Sequence, residues 1–352
     1  MPLLAGRVLP TRRDGYSCPV TPAPVAPLLA HESWFVPEPD RFDLDWGRLD
    51  DLPVLVAVLT ALTAVAVFTA ADRAVDEPRL ARLDPLVRLE RYLPRIVSLA
   101  IGLALLGTVA QGAYLAPNMD LPDGPAGTLL GGLELLAAVL LVLGVSRRLT
   151  AALLVAAGPV GMPFYGVLPI LERADLLGAA AFLALAHGRS ASAEQRARRN
   201  PVASRVMRLL AALAIAVLAF SEKLLNPDLA SAFLGLRPAF DLFDQLGIGV
   251  LGQDDFIWFA AGIELTLAAL LAAGQLPRLT ALVVATPFVA TLPLLGYVEF
   301  FGHLPLYAVV LVVAVEAQVE RVREAQAEQA AGRPHRPAIS SRRRLRPEER
   351  QR

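Results

Sequence analysis

The residues of this chain best placed to do chemistry are Glu222 and Lys223, at the end of a long apolar run. Lys223 is the only lysine, against 32 arginines. The run Leu209 to Phe220 before it is apolar and, with its flanks, long enough to cross a bilayer. The two charges therefore sit at the mouth of a membrane helix, where an ionisable group is costly unless paired or hydrated. That makes the pair a functional-site hypothesis; the plainer alternative is a lysine that snorkels to the headgroups and anchors the helix end. Glu264 lies eight residues into a later apolar run that starts at Phe256, about 12 Å deep at the rise of an α-helix. Glu299 and His303 flank the last outer connection. Glu222, Lys223, Glu264, Glu299 and His303 together form a candidate polar intramembrane site in the outer half of the chain's second repeat. Adjacent helical residues do not face each other, so Glu264 is a better partner for Lys223 than Glu222 is. A carboxylate and an imidazole at a lipid-accessible pocket can hydrogen-bond a quinone carbonyl and exchange protons with water. The same residue types also serve as ion pairs that hold helices together. No residue is assigned a catalytic role.

Other chemistries find less support. Cys18 is the only cysteine, which excludes an internal disulfide, a CxxC pair and a cysteine-based cluster or zinc site. The four histidines, His31, His187, His303 and His335, are too scattered for a His-rich metal motif, and no metal site is expected. The segment His31-Glu32-Ser33-Trp34-Phe35 reads as an interfacial aromatic anchor, with metal binding the weaker alternative. No Ser, His and Asp fall at a recognisable nucleophile spacing. No haem, flavin or cluster motif is evident, so a quinone is the one cofactor kept open.

The elements that would position these residues are helical. The chain has 352 residues, is 55 % hydrophobic and has a mean hydropathy of +0.51, too apolar for a soluble protein with one core. Repeated apolar runs of roughly 17 to 20 residues predict an all-α, polytopic membrane protein of about nine transmembrane helices. The net charge of zero hides a segregation, with arginines crowded into some loops and acids into others. That pattern sets orientation and gives no reason to expect nucleic acid. It predicts an extracytoplasmic Pro-rich tail over 1–50, with an uncleaved start, and a first span over 51–72. A cytoplasmic basic segment over 73–95 leads to a four-helix unit over 96–188. A basic cytoplasmic linker over 189–205 joins it to a second four-helix unit over 206–319. A cytoplasmic basic tail occupies 320–352, beginning as a polar helix to Ala331. The loop 226–255 suits a short interfacial helix. Nine spans with the N-terminus outside and the C-terminus in the cytoplasm satisfy the positive-inside rule.

The two units repeat each other. Gly132-Leu133-Glu134-Leu135 recurs as Gly262-Ile263-Glu264-Leu265, Gly144 as Gly274, and Arg148-Leu149-Thr150-Ala151 as Arg278-Leu279-Thr280-Ala281, all at an offset of 130. Arg95 to Pro117 matches Arg205 to Pro227 at an offset of 110. Four spans return the chain to its starting side, so the copies are parallel and suit packing about an axis along the membrane normal. Glu134 is the copy-one counterpart of Glu264. Where copy two has Ser221-Glu222-Lys223, copy one has Gln111-Gly112-Ala113. Copy one is therefore expected to be mainly structural.

The second unit resembles the DoxX family. The resemblance is carried by Glu222-Lys223, Asn226-Pro227, Gly262 to Leu265, Gly274, Arg278-Leu279-Thr280 and Gly302-His303-Leu304-Pro305. It covers 205–318 and, more loosely, 91–188. It implies tandem DoxX-like four-helix bundles in a bacterial cytoplasmic (inner) membrane. DoxX-like proteins include a subunit of thiosulfate:quinone oxidoreductase and partners of membrane redox enzymes. The expected function is a scaffold or accessory subunit of a membrane-associated complex, in contact with lipid and with a redox-enzyme or other membrane-protein partner. A quinone-interacting redox subunit and a transporter of a small solute or metal are the alternatives.

Overall fold

The computed structural model describes residues 31–75 and 81–331. The expectations for the start of the chain, Cys18, His335 and the arginine-rich end fall outside the described residues. Apart from one small hairpin, the described chain is helical. After three 3₁₀ turns (Glu32–Trp34, Pro39–Arg41 and Trp46–Asp50) comes α1, Leu52–Ala74. A 3₁₀ segment, Ala81–Tyr92, runs into α2, Leu93–Ala110. The hairpin pairs Ala113–Tyr114 with Ala116–Asp120. Then follow α3 (Pro125–Leu143), α4 (Arg147–Tyr165), the short α5 (Val167–Leu171) and α6 (Ala174–Leu185). The second repeat comprises α7 (Ala193–Leu218), a π turn over Ala219–Leu224, α8 (Pro227–Leu236), α9 (Leu242–Gln245), α10 (Gln253–Ala273) and α11 (Pro277–Ala330).

The sequence punctuates these helices. A proline in the first turn, where the missing N–H costs nothing, opens α1, α2, α3, α8 and α11. Ser192 and Gln195 form a capping box at the start of α7. Gly144 and Gly274 end α3 and α10 in left-handed conformation, at φ of 72° and 73°.

Among the described residues, six helices are long and apolar enough to cross a membrane. They contain α1, α2, α3, α7, α10 and α11. Of the nine apolar runs in the sequence, the eighth and ninth are the two halves of α11, which breaks only at Gly296 (φ 71°, ψ −144°). The fourth and fifth fall in α4, which carries Pro159 and Pro163, and in the shorter α5 and α6. Faces of α1 bearing Leu55, Leu59 and Leu62 are exposed, as lipid contact requires.

α2 packs on α3, and α7 on α10; across the repeat boundary α6 packs on α7, and α11 on α2. Gly107 of α2 admits Phe301 of α11 so closely that an added Cβ would lie 3.0 Å from its ring. A continuous apolar core, including Leu93, Ile101, Phe182, Met207 and Val312, joins both repeats. α1 lies against α10, with Ala57 and Ala61 buried.

The expectation of an interfacial aromatic anchor at His31-Glu32-Ser33-Trp34-Phe35 is corrected. His31, Glu32 and Ser33 are buried inside the helical body. Their polar groups find partners there, and an exposed interfacial anchor would not.

Candidate functional site

The site forms where α7 loosens into its π turn. Leu225 N–H donates to Phe220 carbonyl oxygen at 2.9 Å, one residue further than an α-helix allows. Both Glu222 and Lys223 are buried there, each only 2 % exposed. They remain inside because each reaches a different set of partners.

Lys223 Nζ lies 2.8 Å from Glu32 Oε2 and 2.9 Å from Glu264 Oε1. The Lys223–Glu264 contact joins the end of α7 to the middle of α10. Glu222 serves the N-terminal segment. Its Oε2 accepts the N–H of Glu32 at 2.9 Å, and its Oε1 accepts the N–H of Ser33 at 3.3 Å and the Ser33 hydroxyl. Asn118 of the hairpin donates to the Ser33 hydroxyl oxygen at 3.2 Å. The leading N–H groups of the Glu32–Trp34 turn, which have no partner within the turn, thus meet a carboxylate. Further along, Asp45 N–H donates to Leu225 oxygen at 2.8 Å, and Asn226 donates to Phe42 oxygen at 3.3 Å.

Glu299 and His303 make a second limb on α11. His303 Nδ1 lies 3.2 Å from Glu299 Oε1, which also accepts the Thr291 hydroxyl at 2.5 Å. The His303 ring meets His31 at 5.0 Å and Phe288 at 4.7 Å between centroids. His31 stacks on Trp34 at 3.9 Å and 3°. An added Cβ at Gly302 would strike the Trp34 indole, so only glycine leaves room for this ring. Burial pushes the His31 imidazole well below its usual range, and His303, Arg173 and Lys223 add to the effect. A neutral ring stacked on indole follows.

The site is not confined to the second repeat. The connection between α5 and α6, from copy one, enters it. Glu172 accepts the Ser221 hydroxyl at 2.7 Å, Arg173 lies 3.5 Å from Asp175, and the Arg173 guanidinium stands 6.0 Å over Trp34. Burial raises Glu172 from its ordinary 4.5 to about 7, against the opposing pull of Ser221 and Arg173. Sequence reasoning missed Glu32, Ser33 and the role of this connection. The composition of 31–35 carries no sign of its partners. Glu172, Arg173 and Asp175 stand out in sequence only as charges beside an apolar run.

Glu134, the copy-one counterpart, is separate. It accepts the Thr108 hydroxyl at 2.5 Å and the N–H of Leu115 at 3.1 Å, and so clamps the hairpin to α3. With no lysine at Ala113, backbone and hydroxyl donors take the place that Lys223 fills in copy two.

Six carboxyl groups (Glu32, Glu172, Asp175, Glu222, Glu264 and Glu299) share this region with two permanent cations, Lys223 and Arg173. Glu172, Arg173, Asp175, Glu222 and Glu264, with His31 and His303, line a cavity of about 30 Å³. That volume is enough to hold ordered water. Glu264 Oε2 and His303 Nε2 have no hydrogen-bond partner among the described residues. Among those residues, no group of three His, Cys, Asp or Glu side chains is arranged to hold a metal ion. The arrangement can lock chain segments together through ion pairs and can take up or pass protons. The chain matches no family model, no curated protein and no solved structure.

Proposed function

We propose that this chain is a DoxX-like integral membrane protein that serves as a scaffold or accessory subunit of a membrane-associated complex. It crosses a bacterial cytoplasmic membrane nine times, with its N-terminus outside, its C-terminus in the cytoplasm and two tandem four-helix units. One observation carries the reading. Lys223 is held between Glu32 and Glu264 while Glu222 grips the backbone of residues 32 and 33, so the charges are spent on joining three parts of the chain. The cavity left among them is small. Such a knot favours a rigid outer face for a partner over turnover of a substrate. The experiment is purification of the full chain from native membranes, with identification of what co-elutes. A stoichiometric membrane-protein partner is expected. Elution of the chain alone, with donor-to-quinone activity of its own, overturns the reading.

A second reading has its own observation. Among the described residues, His303 Nε2 and Glu264 Oε2 face the cavity without partners, and Phe288 and Trp34 supply flat apolar surfaces beside them. Those features suit a quinone head that is hydrogen-bonded and proton-coupled, with electrons supplied by the partner. Quinone-linked oxidation of thiosulfate and other donors in inverted membranes tests it: loss in His303→Gln at equal expression supports it, and unchanged rates eliminate it.

A further inference from the structure

The two repeats carry the same device at their arginine-rich ends. In copy one, Arg95 of α2 lies beneath Gly144 and donates to the carbonyl oxygens of Leu141 at 3.0 Å and Val142 at 2.6 Å. In copy two a non-equivalent arginine, Arg208 of α7, three residues beyond the Arg205 that matches Arg95, lies beneath Gly274. A side chain at either glycine would collide with the guanidinium as well as strain the left-handed turn. Around this shared frame the copies diverge. The hollow in copy two, about 550 Å³, holds Arg205, Arg208 and Arg323 together with Glu316, Glu320 and Glu324 of α11. Its counter-charge is built in.

The hollow in copy one, about 700 Å³, is lined by Arg91, Arg95, Arg147 and Arg189 and by no acid. Arg95 and Arg147 are fixed by backbone carbonyls, the latter through Ala186 oxygen at 3.1 Å. Arg91 lies 4.9 Å over the Tyr92 ring, and Arg189 has no hydrogen-bond or ion-pair partner among the described residues. Ser98 and Ser190 add hydroxyls. Four arginines therefore line one cavity without the carboxylates that balance its twin. Exposed Leu143, Val145 and Leu149 flank Gly144 and Arg147 and offer an apolar surface beside the charges.

We propose that this hollow binds a phosphate group, carried by the headgroup of an anionic phospholipid. Guanidinium forks match phosphate oxygens in pairs, and basic pockets between membrane helices suit anionic headgroups. The apolar rim is what a free phosphate would not use. The proposal rests on the bilayer-crossing part of the proposed function and is independent of the partner.

The test uses the detergent-solubilised full chain. Native mass spectrometry measures retention of phosphatidylglycerol against phosphatidylcholine, and a parallel thermal-shift arm uses inorganic phosphate. Selective retention of phosphatidylglycerol is expected, weakened roughly tenfold or more in Arg91→Gln with Arg189→Gln. Those two arginines cap no helix, so the fold should persist. Ser190→Glu, which supplies the acid that copy two contains, should weaken retention likewise, and Arg205→Gln in copy two should not. A response to inorganic phosphate of the same size, lost in the same variants, assigns the site to soluble phosphate and retains the shared chemistry. Equal retention of both lipids without a phosphate response overturns the proposal. So does a preference that survives both the double variant and Ser190→Glu. A partner that still co-elutes after such a result leaves the scaffold reading intact.

Discussion

Lys223 has two carboxylates within 3 Å, Glu32 and Glu264, and all three side chains are almost wholly removed from solvent. In such a setting the desolvation cost of each charge is offset only by its partners. Lys223→Met should therefore lower the stability of the purified protein by roughly 3–5 kcal/mol, read as a fall in Tm in detergent. Lys223→Met combined with Glu264→Gln should recover part of the loss, because one stranded carboxylate is removed. Unchanged Tm in the single variant would reduce Lys223 to a snorkelling anchor. Glu172 allows a test by pH. Its carboxyl is raised from 4.5 to about 7, so its neutral form is the one the fold favours. That contribution is fully present below about pH 4.5 and is lost as pH rises through about 7. Between pH 5 and 8 the Tm of Glu172→Gln should fall less than that of the parent. Parallel curves would mean that Glu172 does not titrate in this range.

At the scale of elements, the segment Glu32–Trp34 is held like a bound peptide. Its amides meet Glu222, its acid meets Lys223, and its indole fills the space over Gly302. Gly302→Val should push the indole out and loosen the whole segment. In a Cys18→Ser background, Ser33→Cys should react slowly with a maleimide and at least about tenfold faster when Gly302→Val is added, as for any site moved from buried to open. Equal rates would show that Trp34 does not depend on this gap. Much of this architecture was legible in the sequence. The lone lysine at an apolar helix end and the repeated Gly-x-Glu-Leu motif pointed to Lys223 and Glu264 meeting. Glu32 was not legible, because its partner Lys223 is 191 residues away and no local pattern reports a contact of that range. Trp34 and Phe35 carried the signal of an interfacial anchor, since aromatic residues beside polar ones look alike in a headgroup layer and in a plug. Within α11 the break falls at Gly296, between its two apolar runs, while Pro287, Pro293 and Pro305 lie inside helix.

In the whole molecule the two repeats are alike in frame and unequal in charge. The last helical stretch of each copy packs on the first helix of the other, α6 on α7 and α11 on α2. Glu134 is satisfied by a hydroxyl and a backbone N–H, so Glu134→Gln should cost only about 1–2 kcal/mol in thermal unfolding. Glu264→Gln, which takes a charge from Lys223, should cost more; equal losses would deny that copy two is special. The same inequality extends to the ends of the molecule. Acids gather at the end that holds Asp120, Asp244 and the Lys223 knot, and arginines at the end that holds Arg95, Arg147 and Arg208. In a bilayer the arginine-rich end should face the cytoplasm. Asp120, Asp244, Ser192 and Glu328 are all exposed, which makes each a fair site for an introduced cysteine. In intact cells and a Cys18→Ser background, an impermeant thiol reagent should label Asp120→Cys and Asp244→Cys nearly to completion. Ser192→Cys and Glu328→Cys should label only after the membrane is opened. The four positions test the proposed topology as a whole, because nine spans would put an even number of crossings between the members of each pair and an odd number between the pairs. Labelling of Ser192→Cys from outside would invert the molecule and put the phosphate hollow and the Lys223 knot on the opposite sides from those argued here. Labelling of Asp120→Cys without Asp244→Cys would break the repeat itself, since two parallel four-helix units must return both loops to one face.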